Sequence, residues 1–397
     1  MRVVVVGASG YVGSRLVPEL LGRGHDVVAT YRGTRRAAYP WVRDVEWRRA
    51  DVLDEAQVVA AVEGADAVCY LVHGLGEDDF MTRDRQAADN VRHAVGVGGV
   101  GRLVYLSGIV PDGPREELSD HLLSRLEVEE ILSSAESSVL TLRASMVIGA
   151  GSTSFEVMRQ LSERLPVVQT VPAWMATTLI QPVAVADAVH FLAEALERPD
   201  VTGHLDVVGP DRVTYAELLR AYAAESGLVR IQVPVWLAPV DAVTRVVGAV
   251  VDVPAALVGS LIPSLGHDMV AGRDAAGELG AAESGPLPVA EAIRRSLGRA
   301  RAGGAGARWA GTHGPAEGAL VDGAVIDGAV IDGAVVDGVV VDGVFIDGVL
   351  IDGAMGDGSA LDGAAIGGDP MAPSVGDPPW SRHRTLYQRL RDSAGLP

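Results

Sequence analysis

Four consecutive valines, Val3 to Val6, run straight into Gly7-Ala8-Ser9-Gly10-Tyr11-Val12-Gly13. A short apolar run that ends in glycine reads as a strand buried on both faces, and the amphipathic stretch from Tyr11 to Leu21 reads as the helix that folds back on it. The spacing of the glycines has a physical reason. Gly7 allows the tight turn, Gly10 removes a Cβ where a pyrophosphate must approach, and Gly13 lets helix and strand pack closely. The helix N-terminus then offers unpaired N–H groups to phosphate oxygens. Strand, turn and helix together point to a dinucleotide.

Alternation of strand and helix signals continues for over 200 residues. Strands are expected at Val27–Ala29, Val45–Arg49, Ala67–Val72, Leu103–Leu106, Val139–Leu142 and Leu205–Val208, with helices at Glu55–Val62, Phe80–Val95, Leu118–Ser133, Val183–Leu196 and Tyr215–Ser226. The implied fold class is α/β, a Rossmann-type doubly wound parallel sheet. Four segments follow: a dinucleotide-binding domain over 1–231, a small, partly helical C-terminal cap on the substrate side over 232–301, a low-complexity tail over 302–370, and a closing segment over 371–397. In the third, Asp-Gly recurs every five residues from Asp322 to Asp362. Asp-Gly favours a turn and the small or β-branched residues between favour extended backbone, so a linker, a short β-helix or a chain of loose turns is expected there. By the family resemblance given below, Gly376-Asp-Pro-Pro-Trp-Ser381 is expected to open a further, truncated domain; deletion near residue 302 is expected to leave cofactor binding intact.

Charge and cysteine content narrow the partners. A net charge of −19 over 397 residues argues against nucleic acid and anionic membrane. The single cysteine, Cys69, sits in an apolar strand and is expected to pack in the core. With no apolar leader and no uninterrupted apolar span, a cytoplasmic protein without stable membrane insertion is expected. A small-molecule substrate is expected, and a protein partner or homo-oligomer stays open. The spacing of histidines, acids and cysteines offers no metal site.

Several further segments carry a family resemblance in chain order. Ala50-Asp51-Val52, Tyr70-Leu71-Val72-His73-Gly74, Val104-Tyr-Leu-Ser107-Gly108, Leu142 to Gly149 and Gln181 to Asp187 join the glycine turn. Over residues 1 to about 300 the chain resembles an atypical member of the extended short-chain dehydrogenase/reductase superfamily, similar to NmrA-like NAD(P)-binding proteins and more distantly to the complex I subunit of this fold. The resemblance implies that Gly7, Ser9, Gly10, Tyr11, Val12 and Gly13 hold the cofactor. It also implies that Asp51 and Val52 flank the adenine, that Leu71, Val72 and His73 lie beneath the cofactor, and that Ser107 positions a substrate carbonyl.

The second strand ends in Thr30-Tyr31-Arg32, with Arg35 and Arg36 close behind and no acid. An arginine there grips a 2′-phosphate, so NADP is expected in preference to NAD, with Arg32 as the contact. Active relatives carry a tyrosine and, four residues on, a lysine; here His121 and Arg125 hold that spacing. They share a helix face. Arg125 can still hydrogen-bond a ribose, whereas a neighbouring cation disfavours imidazolium. Three roles for His121 stay open: an unusual general acid, a substrate-orienting group, or a helix residue in a protein that only binds cofactor. The expected function is therefore hydride transfer from NADPH to a small carbonyl, with Ser107, His121 and Arg125 at the reaction centre, or non-catalytic sensing of NADP(H).

Overall fold

A computed structural model describes residues 1–33, 39–74, 79–236, 238–298, 368–374 and 377–382, together with four short strands between 325 and 351. The four-valine run explains the architecture. Strand β1 (Arg2–Val6) sends Val3 and Val5 into one core cluster and Val4 and Val6 into another, all four at most 1% exposed. Only a strand covered on both faces tolerates such a run, and each valine so buried contributes about 1.5–3 kcal/mol. The same alternation repeats along β2 (Asp26–Tyr31), β4 (Ala67–Tyr70), β5 (Arg102–Gly108) and β6 (Ser138–Ala144). With β3 (Glu46–Arg49) and β7 (Gly203–Val207) they form a parallel sheet in the order β7-β6-β5-β4-β1-β2-β3. Cys69 lies in the core of β4, fully buried.

Helices cover both faces. On one side pack α1 (Gly13–Gly22) and α6 (Val185–Glu197); on the other, α2 (Glu55–Val62), α3 (Phe80–Val97) and α4 (Asp120–Ser133). Strand order reverses beside β1, between β1–β2 and β1–β4, and this switch point opens a crevice at the carboxyl ends of the strands. Helix α5 (Thr153–Arg164), unforeseen in the sequence reading, crosses the far side of that crevice. Beyond it α7 (Tyr215–Ser226) packs against α5, and α8 (Val240–Val250) and α9 (Ala255–Leu261) build the cap around Val247, Val258 and Ile262. No helix among the described residues is long and apolar enough to cross a membrane.

The chain divides into two compact units, one combining residues 1–305 with 366–397 and one spanning 306–365. In the second, Val325–Ile326, Ala329–Ile331, Val344–Ile346 and Val349–Ile351 pair antiparallel in chain order. The rest of the pentad tract, with the linker expectation, lies outside the described residues. The closing segment is no separate appendage where it is described. Met371 is fully buried in the core cluster that holds β1, and Asp377 is 5% exposed. Deletion from residue 302 would strip both from the first unit, so the expectation of an indifferent tail is revised.

Candidate cofactor and active site

The crevice is a cleft of about 560 Å³ with the glycine turn as its floor. Gly7 has φ +96°, a left-handed conformation that side chains rarely adopt, and its N–H donates to Thr30 Oγ1 at 3.1 Å, tying the turn to β2. A Cβ on Gly13 would lie 2.3 Å from the Gly7 carbonyl oxygen, so helix and strand need that glycine. At Gly10 a Cβ would meet only Gly7 O, at 3.3 Å, and the space in front belongs to the cleft. This cradle fits a pyrophosphate.

Most of the expected cofactor residues line this space. Gly7, Ser9, Gly10, Tyr11, Val12 and Gly13 form one side, Val52 lies where the adenine is expected, and Leu71, Val72 and His73 follow the end of β4. Asp51 departs from expectation: its Oδ1 turns back to accept the Leu53 N–H at 3.1 Å, and Ala50, Val52 and Leu53 line the cleft around it. Exposed Arg32 stands at the cleft's edge, joined by Arg83 from α3. Arg35 and Arg36 lie outside the described residues.

At the opposite end Ser107, His121 and Arg125 meet in one wall, with Asp84. Ser119 caps α4, accepting the Leu122 N–H, which leaves His121 and Arg125 one turn apart on the face toward the cleft. Asp84 is the organiser that sequence reasoning missed. One carboxylate oxygen accepts the Gly74 N–H at 2.7 Å; the other accepts Ser124 Oγ at 3.0 Å and Arg125 Nη2 at 2.5 Å. Arg125 is 5% exposed, its charge answered by Asp84, and its Nε has no hydrogen-bond partner. His121 Nδ1 and Tyr11 Oη are likewise buried and unpartnered. Burial, then the Arg125 charge, pushes His121 down to about 3, so at neutral pH it is an uncharged imidazole. It can donate one hydrogen bond but holds no spare proton. Ser152, Thr153 and Ser154, at the start of α5, complete the wall, and only their spacing from Gly149 could have hinted at this. Among the described residues no cluster suits a metal ion.

The closing segment braces the turn from behind. Arg15 of α1, 5% exposed, donates to Asp377 Oδ1 at 2.7 Å, to the carbonyl oxygens of Pro370, Ala372 and Ala150, and to Tyr11 O. Its guanidinium lies 4.1 Å from the centroid of the Tyr11 ring, which borders the cleft.

Comparison with known proteins agrees with this geometry. Residues 7–163 match the NAD(P)H-binding family. An uncharacterised Mycobacterium tuberculosis protein is 28% identical over 222 residues, 56% of this chain and 23% of the relative. A 2-alkyl-3-oxoalkanoate reductase of Stenotrophomonas maltophilia is 35% identical over 113 residues, 27% of this chain and 33% of the enzyme. The chain thus spans about a quarter to a third of the length of these relatives. A nucleoside-diphosphate-sugar epimerase from Staphylococcus aureus shares the fold, with TM-score 0.61 and 14% identity over 74% of this chain and all of that one. With its glycine turn and seven-stranded parallel sheet, the chain carries a Rossmann-type domain whose residues 7–163 match the NAD(P)H-binding family.

Proposed function

We propose that the protein is an NADPH-dependent reductase of a small carbonyl compound. The observation that carries this reading is one continuous cleft joining the glycine turn to Ser107, His121 and Arg125. NADPH, when bound, supplies a hydride to the carbonyl carbon. Ser107 and neutral His121 donate hydrogen bonds to the carbonyl oxygen as charge develops on it, and water in the cleft supplies the proton that completes the alcohol. Arg125, fixed by Asp84, retains an unpartnered Nε for a ribose hydroxyl or substrate oxygen. Arg32 and the absence of an acid at the end of β2 support NADP over NAD. The reductase name of the Stenotrophomonas relative supports the reaction class. On this reading the protein acts in the cytoplasm on a small molecule, and its net charge of −19 disfavours nucleic acid as a partner.

One observation favours a second reading, a non-catalytic NADP(H) sensor that works through a protein partner or a second copy. Neither Tyr nor Lys occupies the positions of His121 and Arg125, and the neutral histidine offers no acid. Titration with NADPH and NADH, followed by nicotinamide absorbance with a panel of carbonyl compounds, decides between the two. Oxidation of NADPH by some compound supports the reductase; tight binding with none of the panel turned over supports the sensor, and no binding of either nucleotide overturns both.

A further inference from the structure

A second cavity, of about 110 Å³, opens where α5, α7, α8 and α9 converge. Its walls include Met146, Leu161, Trp174, Leu219, Val247 and Leu265, and no charged side chain lines it. Ser154 and Leu261 belong both to this cavity and to the cofactor cleft, so the two spaces adjoin. Three of its lining residues, Met146, Met158 and Met175, are unbranched and adapt to varied apolar shapes. Water gains little in such a space, whereas an apolar group fills it favourably. The Trp174 Nε1 is buried with no partner, a neutral donor that suits a single acceptor atom rather than an ion.

We infer that the substrate of the proposed reductase is an amphipathic carbonyl compound, its carbonyl in the cofactor cleft and an uncharged chain or single ring of about four to six carbons in this cavity. The inference rests on the reductase reading for the reacting end, while the apolar end rests on the cavity alone. It excludes a sugar nucleotide, whose hydroxyls and phosphates would lie there unsatisfied. The same lining makes a charged tail unfavourable.

The test uses the full chain loaded with NADP⁺, which cannot reduce a ketone, and a series of methyl ketones from acetone to 2-nonanone. Binding is expected to tighten about fourfold per added methylene until the cavity is full and then level off. The ω-carboxylate counterpart of 2-octanone, 7-oxooctanoate, is expected to bind no better than acetone. Leu219→Trp should flatten the dependence on chain length, and Leu219→Ala should move its plateau to longer chains, both with NADPH affinity unchanged. Affinity independent of chain length, or a carboxylate that binds as well as its ketone, overturns the inference whether or not any ketone is reduced. Length-dependent binding in a protein that never oxidises NADPH keeps the apolar ligand and overturns the reductase reading instead.

Discussion

Two buried arginine–aspartate pairs serve the cofactor cleft, one behind the glycine turn and one in its far wall, and they are built differently. Arg15 meets Asp377 and four carbonyl oxygens, which occupies its whole guanidinium in joining α1 to the closing segment. Arg125 meets Asp84 from one nitrogen and leaves Nε unpartnered in the wall of the cleft. A saturated pair has nothing left for a ligand, so its role is to hold the fold; an unsaturated one pays a desolvation cost that a bound oxygen can repay. Burial alone therefore does not tell a staple from a site.

The largest effect should come from the staple. Replacing Asp377 by alanine leaves Arg15 buried without its counter-charge, and about 3–5 kcal/mol of stability should be lost, read as a lower midpoint in urea unfolding. A loss below about 1 kcal/mol would place the pair on the rim of the fold and dissolve the contrast. Next comes Arg125→Gln, expected to weaken NADPH at least tenfold, about 1.4 kcal/mol, while lowering stability less than Asp377→Ala does. Should the ranking reverse, with stability lost and nucleotide affinity kept, Arg125 is a staple too.

A third arginine sharpens the comparison. Arg32 is exposed at the cleft's edge, so Arg32→Asp should change stability by less than about 1 kcal/mol and weaken NADPH by roughly 10- to 100-fold, with NADH altered less than threefold. Equal weakening of both nucleotides would remove the 2′-phosphate contact. The last comparison concerns pH. His121 is held near 3 in the folded protein against about 6.5 when unfolded, so below pH 6.5 the unfolded chain binds the extra proton. Its contribution is fully present above pH 6.5 and is lost as pH falls toward 3, with a slope of at most about 1.4 kcal/mol per pH unit. His121→Asn should remove that slope, and wild-type turnover should show no step near pH 6.5; a step there would mean the imidazolium takes part.

The fold was legible because its cues are local. Four valines in a row demand two covering layers, and Gly7, Gly10 and Gly13 mark the turn within seven residues. Asp51 is less simply placed: its Oδ1 accepts the Leu53 N–H, a local turn that its acidic type alone does not reveal. Asp84 stayed hidden because its partners come from two other parts of the chain, Gly74 after β4 and Ser124 and Arg125 on α4, and nothing in α3 singles it out. Arg15 looked like any helix arginine. Its partner lies 362 residues away, beyond a repetitive tract, and no periodicity connects the two.

The docking of Met371 and Asp377 also changes what the pentad tract is. With chain anchored on either side of it, the tract counts as an insertion within a domain rather than an extension from its end. A truncation before the tract therefore removes part of the first unit's core and not only the repeats.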